Sequence, residues 1–402
     1  MNRSIREIRS WGLQGVRFLL SILVPVQTGK IMFESSPDYS DNARAFSDYL
    51  LQYTNYILIW SVKNASNYKS GERIRFIEKN GGTGTMGKLV FIYHTVSSQF
   101  LISTHASFHF ANKRKQTYVC CWHGMPLKRI AQWQNEDNKN YLNNAKFILS
   151  TSTFYKPILC KCFGKNDANI VSTGYPRNDW LFHDSDVLKR LEVRIDQGEK
   201  LIMYLPTFRK PCGGGYKDAD KDVFKQGFID FTSEKGLNEI NDFLKGLKIK
   251  LIVKPHPAEA NQLFVKRLSN VLVVPHRIFL EKDIQLNKVM HYADALVTDF
   301  SGAFIDFLNL NRPIGFSLTD IDEYQDNRGF VFDAPLSYMP GKRIYNKRDF
   351  EDFCIDLMQG IDKYMEERKR VHDVFNDNSD DNNSYRLACF LQMDINNKLQ
   401  IR

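Results

Sequence analysis

Four short segments combine a turn-forming residue with a histidine, a cationic side chain or a hydroxyl group, and each follows an apolar run. They are CWHGMPLK (121–128), GYPRND (174–179), LPTFRK (205–210) with KPHP (254–257), and VTDFSGAFIDF (297–307). Taken singly, each is compatible with ordinary loop chemistry. Because ligands of open α/β sheets bind beyond the carboxyl ends of the strands, their shared position after apolar runs predicts one binding site.

His123 in the first segment has the chemistry of an acid–base group. A neutral imidazole at cytosolic pH can accept the proton of an attacking hydroxyl. Lys128 can hold an anionic acceptor, and we count Gly124 with it on the acceptor side. Arg177 and Asp179 are predicted either to pair with each other or to contact a ligand. The other histidines are predicted to be structural or at the surface: His94, His105, His109, His183, His276, His291 and His372.

KPHP and LPTFRK carry the charges expected of a phosphate site. His256 lies between two prolines with Lys254 beside it, so it can donate to a phosphoryl oxygen or to a leaving group. Arg209 supplies a planar fork suited to diphosphate oxygens. A structural histidine bonded to the backbone is the alternative for His256.

VTDFSGAFIDF is predicted to pass from a strand into a helix. Thr298 ends the strand, Asp299 makes the turn, and Ser301 and Gly302 open an apolar-periodic helix. Such a helix start offers free amides and positive charge to a phosphate, and Gly302 allows close backbone approach. We count these four residues as donor contacts. The alternative is an ordinary N-cap made by Asp299 or Ser301.

Strand-like runs alternate with helical stretches from residue 31 onward, which predicts parallel sheets covered by helices. The predicted strands are 31–35, 56–62, 73–78, 100–104, 117–122, 147–151, 200–207, 248–257, 270–275, 293–299 and 313–318. The predicted helices are 41–53, 86–96, 138–145, 349–369 and 383–398. These elements predict an α/β fold of two Rossmann-like lobes. The predicted parts are a leader (1–28), an acceptor-side lobe (29–187), a donor-binding lobe (188–375) and a C-terminal helix (376–402).

The leader MNRSIREIRSWGLQGVRFLLSILVPV has apolar residues on one helical stripe and arginines away from it. Its apolar run is shorter than the roughly 20 residues that a spanning helix needs. We therefore predict an amphipathic helix at an anionic membrane surface, on the cytoplasmic face. A cleaved secretory signal and a helix packed on the protein's own surface are the alternatives.

Composition narrows the class of partner. The net charge of +9 over 402 residues favours anionic partners. No zinc-finger spacing, RNP-like motif or basic leucine zipper is present, so nucleic acid is not the predicted partner. Seven cysteines without a CxxC pair are predicted to be reduced thiols. Asp299 and Asp306 lack histidines at ligand spacing, so we predict no resident metal and leave a loosely held Mg²⁺ open.

Six ordered motifs, CWHGMPLK, STGYPRND, YLPTFR, KPHP, VTDFSGAFIDF and EYQDNRGF, resemble the CDP-glycerol glycerophosphotransferase family of teichoic-acid and capsule synthesis. The resemblance covers nearly the whole chain. It implies a GT-B-type fold, a CDP-glycerol or CDP-ribitol donor, a lipid-linked saccharide or teichoic-acid acceptor, and release of CMP. It also implies that His123 is the acceptor-side base and that His256, Arg209 and Ser301 hold the donor, with Arg328 reaching it.

The chain departs from the family pattern at two positions. Gly302 stands where the family usually has a second serine, and Met125 where it often has a threonine. These departures leave the donor polyol open, along with a primase, a capsule-type transferase or a polymerase, and an oligomer. A glycosyltransferase that uses a nucleotide-sugar donor and a non-catalytic module that binds polymer at a lipid surface are the two alternative functions.

Overall fold

Two seven-stranded sheets form the framework of the computed structural model, which describes residues 15, 17–207, 228, 229, 231, 233–255, 265–327 and 329–396. We call residues 27–182 the first lobe, residues 200–359 the second lobe, and residues 360–396 the C-terminal segment. The predicted two-lobe α/β fold is confirmed. The predicted boundary near residue 188 falls between the two sheets, and the predicted domain limits stay a prediction.

The sheet of the first lobe is parallel throughout, with strand order β3-β2-β1-β4-β5-β6-β7. Its strands are β1 (Gln27–Glu34), β2 (Ile57–Val62), β3 (Ile74–Glu78), β4 (Ser98–Ser103), β5 (Thr117–Cys120), β6 (Phe147–Leu149) and β7 (Ile170–Val171). The helices up to the second sheet are α1 (Asp41–Tyr53), α2 (Thr85–Ser97), α3 (Lys156–Phe163) and α4 (Val187–Arg190), with a 3₁₀ helix at Pro176–Phe182. Ile31, Met32 and Phe33 of β1 are buried in succession, as expected of a parallel strand that is covered on both faces.

The sheet of the second lobe has strand order β10-β11-β9-β8-β12-β13-β14, and only β10 runs antiparallel to its neighbour among these strands. Its strands are β8 (Lys200–Leu205), β9 (Ile249–Val253), β10 (Lys266–Arg267), β11 (Val271–Val273), β12 (Ala295–Thr298), β13 (Ile314–Ser317) and β14 (Lys342–Ile344). Its helices are α5 (Glu234–Gly246), α6 (His276–Glu281), α7 (Leu286–Met290), α8 (Ala303–Phe307), α9 (Ile321–Asn327) and α10 (Lys347–Gln359). In both sheets the strand order reverses beside the first strand, and the crevice at such a reversal is where ligands bind.

The C-terminal segment returns to the first lobe through α11 (Met365–Phe375) and α12 (Asn383–Phe390). The hydroxyl of Thr151 donates to the carbonyl of Phe375 over 2.6 Å, and the Phe147 and Phe390 rings meet edge to face at 4.9 Å. Aromatic side chains from all three parts pack together near this return: Phe154, Tyr155, Phe332, Tyr338 and Phe375. The lobes therefore share a continuous apolar core.

The helix predicted over 138–145 is wrong. A 3₁₀ turn at Glu136–Asn138 is followed by further turns. The asparagine side chains here bond locally instead of supporting a helix. Asn135 accepts from the amide of Asp137, and the side-chain amide of Asn143 donates to Asn140. Such local hydrogen bonds compete with the helical ladder, which is the physical reason for the difference.

The predicted leader lies largely outside the described residues, since residues 1–14 and 16 are not among them. Residues 17–23 are helical, and Phe18, Leu19, Ile22 and Leu23 each expose more than half of their surface. In the part of the chain that the structure describes, no helix is both long enough and apolar enough to cross a bilayer.

Candidate active site

A cleft of about 770 Å³ lies between the two lobes. Its first-lobe wall is built from the segments that follow β1, β4 and β5, and its second-lobe wall from those that follow β8, β9, β11 and β12. Six predicted site residues line it: His123, Gly124, Lys128, Lys254, Ser301 and Gly302. Strand ends that are far apart in the sequence therefore converge on one space, as the parallel-sheet argument predicts.

His123 stands on the first-lobe wall with its ring held on two sides. Its Nδ1 lies 3.1 Å from the carbonyl oxygen of Thr104, and its ring lies 4.1 Å from the Trp122 ring, centroid to centroid. Because a carbonyl can only accept, Nδ1 carries the hydrogen and Nε2 keeps a free lone pair. His123 is open to the cleft on one side, and desolvation by the surrounding protein lowers its pKa below the ordinary value, which favours the neutral imidazole at cytosolic pH. This is the protonation state that a general base needs.

Lys254 lies directly after β9, on the second-lobe wall of the cleft. Its side chain is buried, and its ammonium lies 5.2 Å from the centre of the Phe279 ring. Within the described residues, no carboxylate forms an ion pair with it. Burial lowers the pKa of Lys254 to about 8. A buried cation without a paired carboxylate is costly unless an anion binds beside it, so this arrangement favours an anion site on this wall.

His276 faces the same cleft, although we predicted a structural or surface role for it. It begins α6 directly after Pro275. Neither ring nitrogen has a hydrogen-bond partner among the described residues. Burial and the charge of Lys254 lower the pKa of His276 to about 4, so it is a neutral donor and acceptor. The sequence carried a signal, because His276 follows an apolar strand and a proline just as His256 does.

Ser301 and Gly302 lie at the start of α8, as predicted. The hydroxyl of Ser301 accepts from the amide of Ala303 over 3.3 Å. The N-cap position of α8 is Gly302, so the ordinary N-cap by Asp299 or Ser301, which we considered as the alternative, is not formed. The helix itself is short and continues into a 3₁₀ turn at Leu308–Leu310. Gly302 lies against the backbone of Met125 in the first lobe.

Thr298 and Asp299 are buried and are not among the residues that line the cleft. The Thr298 hydroxyl donates to the carbonyl of Leu205 over 2.7 Å. The Asp299 carboxylate accepts from the amide and the hydroxyl of Thr207, over 2.8 and 3.0 Å. Both side chains thus hold the chain at the end of β8 and directly after it. Their predicted donor contact stays a prediction.

The predicted pairing of Arg177 with Asp179 is wrong. Arg177 instead bonds Asp41 of α1 and Asp306 of α8, each over 2.7 Å. Asp179 accepts from the backbone amides of Asn383 and Ser384, over 2.8 and 2.9 Å. Two residues apart on a 3₁₀ helix, the side chains leave in different directions, and each finds a partner that is distant in sequence.

His105, also predicted to be structural or at the surface, lines the cleft beside a buried carboxylate. Its Nε2 lies 3.3 Å from Glu34 at the end of β1, and Lys79 lies 2.9 Å from the same oxygen. Burial alone would raise the pKa of Glu34, but hydrogen bonds from His105 and Ser107 and the charge of Lys79 outweigh it and hold the pKa at about 2. The carboxylate is therefore ionised and fixes the ring of His105.

Three predicted donor residues, Arg209, His256 and Arg328, lie outside the described residues. Lys128 is in the described part and forms an antiparallel bridge to Phe330, which ties the acceptor segment to the second lobe. Among the described residues, no group of three or more histidine, cysteine, aspartate or glutamate side chains is arranged to hold a metal ion.

The family described as CDP-Glycerol:Poly(glycerophosphate) glycerophosphotransferase has a model that matches residues 16–392. The chain belongs to this family. It is a transferase, and the family's chemistry is the transfer of a polyol phosphate.

Similar members include teichoic-acid enzymes from two bacterial genera. The chain is 27% identical over 385 residues to a teichoic acid glycerol-phosphate transferase of Staphylococcus aureus, covering 89% of this chain and 91% of that protein. It is 26% identical over 338 residues to a teichoic acid poly(glycerol phosphate) polymerase of Bacillus subtilis, covering 79% of this chain and 42% of that protein.

The fold is that of a solved family structure. The wall teichoic acid polymerase TagF superposes with a TM-score of 0.77 at 22% identity, over 97% of this chain and 95% of that chain. At this identity the likeness shows the fold alone. It agrees with the two-lobe architecture described above and with the GT-B type expected from the sequence.

Proposed function

We propose that this family member transfers glycerol phosphate or ribitol phosphate from a CDP-alditol donor to a lipid-linked saccharide or teichoic-acid acceptor, with release of CMP. One observation carries the proposal: a neutral, oriented imidazole on one wall of the cleft faces a buried cation on the other. The first suits an acceptor hydroxyl, and the second suits a diphosphate.

The reaction balances with the groups that line the cleft. The acceptor oxygen attacks the phosphorus that bears the polyol, and the bond from that phosphorus to the oxygen of CMP breaks. His123 Nε2 takes the proton of the attacking hydroxyl, while Thr104 holds the opposite ring nitrogen. Lys254 and a donating nitrogen of His276 stabilise the charge that builds on the departing phosphate. Most of the rate gain in such a transfer comes from positioning and fixed charge.

A donor screen tests the proposal directly. We expect the purified full chain with a saccharide acceptor to release CMP from CDP-glycerol or CDP-ribitol, with the polyol phosphate found on the acceptor by mass spectrometry. Release of UDP from UDP-sugars would instead favour the glycosyltransferase alternative. No nucleotide release from any donor would favour the non-catalytic polymer-binding module. Parallel assays with EDTA and with Mg²⁺ test our prediction that no resident metal is needed.

We also propose that the chain binds an anionic membrane on the cytoplasmic face through residues 1–28. Support comes from the arginines of the leader and from the exposed apolar side chains of residues 18–23. Charge attraction and burial of such side chains together bind amphipathic helices to lipid. Deletion of residues 1–26 should abolish sedimentation with anionic liposomes while sparing turnover of a soluble acceptor. Sedimentation of the truncated chain would contradict the assignment.

A further inference from the structure

The side chain of Arg177 joins three elements that meet at the cleft. Its Nη1 bonds Asp41 over 2.7 Å and the carbonyl oxygen of His123 over 3.0 Å. Its Nη2 bonds Asp306 over 2.7 Å. Asp41 and His123 belong to the first lobe, whereas Asp306 lies on α8 of the second lobe. One guanidinium therefore connects the loop of the acceptor-side imidazole with the helix that follows Ser301 and Gly302.

The loop around His123 has a backbone conformation that depends on hydrogen bonds from other elements. Trp122 has a φ of 56°, a value that residues with a side chain rarely adopt, and Gly124 has a φ of 155°. Side chains from outside the loop bond the carbonyl oxygens of Trp122 and His123. The side-chain amide of Asn42 donates to Trp122 over 3.0 Å, and Arg177 donates to His123. The direction in which His123 points thus depends on these two partners.

Direct binding of the donor by Arg177 is not what this geometry favours. Both of its terminal nitrogens are taken by carboxylates, and the side chain is 10% exposed. The cluster of one arginine and two aspartates has a formal net charge of −1, although burial raises the pKa of Asp306, and it offers no excess positive charge to a diphosphate. Its contacts instead fix the distance between the lobes, together with a hydrogen bond of 3.0 Å from Asn287 to Asn178.

We propose that Arg177 is a positioning residue of the transfer reaction, because its bonds to the His123 carbonyl and to Asp306 align the acceptor-side imidazole with the donor lobe. This inference rests on the proposed function, because the reaction whose rate is measured is the proposed transfer of polyol phosphate. Misplacement of a catalytic group by about 1 Å lowers a rate on the order of 10²-fold, so loss of this alignment should lower kcat more than donor affinity.

The experiment compares Asp306→Asn with Asp41→Asn, since both remove a carboxylate from the same guanidinium but only Asp306 lies across the cleft. We expect Asp306→Asn to lower kcat for CMP release by on the order of 10- to 100-fold, with the dissociation constant of CDP-glycerol changed less than about threefold in calorimetry. Asp41→Asn should also lower kcat, but by a factor several times smaller than the factor for Asp306→Asn. The double variant Arg177→Met with Asp306→Asn should be no slower than Arg177→Met alone, and Arg177→Lys should recover part of the rate.

Several outcomes overturn the inference. A lower melting temperature with normal kcat at saturating donor would show a purely structural role. A loss of donor affinity that accounts for the whole defect would make Arg177 a donor ligand. If the rate defects of Arg177→Met and Asp306→Asn multiply in the double variant, the two residues act independently. Small-angle scattering gives a readout without turnover, because Asp306→Asn should enlarge the radius of gyration of the full chain. An unchanged radius contradicts the alignment, whereas lack of CMP release by the wild type would contradict only the proposed function.

Discussion

A Cβ atom on Gly302 would lie 2.6 Å from the carbonyl oxygen of Met125, so the two lobes approach here as closely as a glycine allows. Any side chain at this position must push the acceptor segment away from the donor lobe. Gly302→Ala should therefore lower kcat about tenfold or more, because it misaligns the two walls. Gly246→Ala is the matched control, since nothing lies within 4 Å of a Cβ at that position. Normal CMP release by Gly302→Ala would refute this account of the contact.

His123 is predicted to be the acceptor-side base. His123→Ala should lower turnover by roughly 10²–10³ without loss of folding, and we predict the same for His256→Ala. His109→Ala is the control, because that side chain is exposed. Purified variants are compared by initial rates of CMP release and by melting temperature. Near-normal rates would remove the substituted residue from the mechanism.

The acid limb of the pH profile follows from the same residue. Desolvation at the cleft wall lowers the pKa of His123 below 6.5, so the base stays neutral until the pH falls beneath its ordinary titration range. We expect kcat/KM for the acceptor to hold from pH 7 down to about 6.5 and to decline only at lower pH. A decline that begins well above pH 7 would be inconsistent with a neutral imidazole of lowered pKa at this position.

The basic limb should report Lys254. Burial lowers its pKa to about 8, so the ammonium loses its charge as the pH rises through that value. We expect kcat/KM for the donor to be level below pH 8 and to fall above it. Lys254→Arg should remove this fall, because arginine keeps its charge at every accessible pH. The two profiles are measured side by side, and an identical basic limb in both proteins would show that another group titrates.

Because of Glu34, the free energy of unfolding should fall at acidic pH. Its pKa is held at about 2 in the folded chain, below the ordinary value of 4.5, so its contribution is complete above pH 4.5 and is lost as the pH falls towards 2. The linked contribution is on the order of 3 kcal/mol. Glu34→Gln should lower stability at neutral pH and flatten its decline between pH 4.5 and 2.

Urea unfolding at a series of pH values checks this prediction. Glu136→Gln serves as the control, because that carboxylate is 85% exposed and its ion pair with Lys139 lies at the surface. Equal acid sensitivity of the Glu34 variant and the wild type would mean that other carboxylates account for the effect.

The strands could be predicted because parallel strands buried on both faces appear as continuous apolar runs, as in β1 and β9. Three strands were missed: β7 and β10 have two residues each, and β14 begins with Lys342 and Arg343. Short strands at or near sheet edges need no apolar run, so the pattern carries no signal for them. The stretch 138–145 forms turns and not the predicted helix because its asparagine side chains make local hydrogen bonds.

The position of a residue in the cleft could be predicted where that residue directly follows a predicted strand, as for His123, Lys254 and Ser301. The partners of Arg177 could not be predicted, because Asp41 and Asp306 reach it only through the packing of two lobes. Long-range pairing of this kind leaves no local pattern in the sequence. His276 also follows an apolar strand and a proline, so the same strand-end argument applies to it, although we predicted a structural or surface role.

The return of the C-terminal segment has a mechanical consequence. The chain leaves the first lobe after Phe182 and the C-terminal segment returns to it, and the side chains of His183 and Asp381 lie 3.0 Å apart. The lobes are thus joined both by the covalent connection that follows Phe182 and by the packing of the C-terminal segment on the first lobe. Two connections restrain the relative movement of the lobes more than a single connection would.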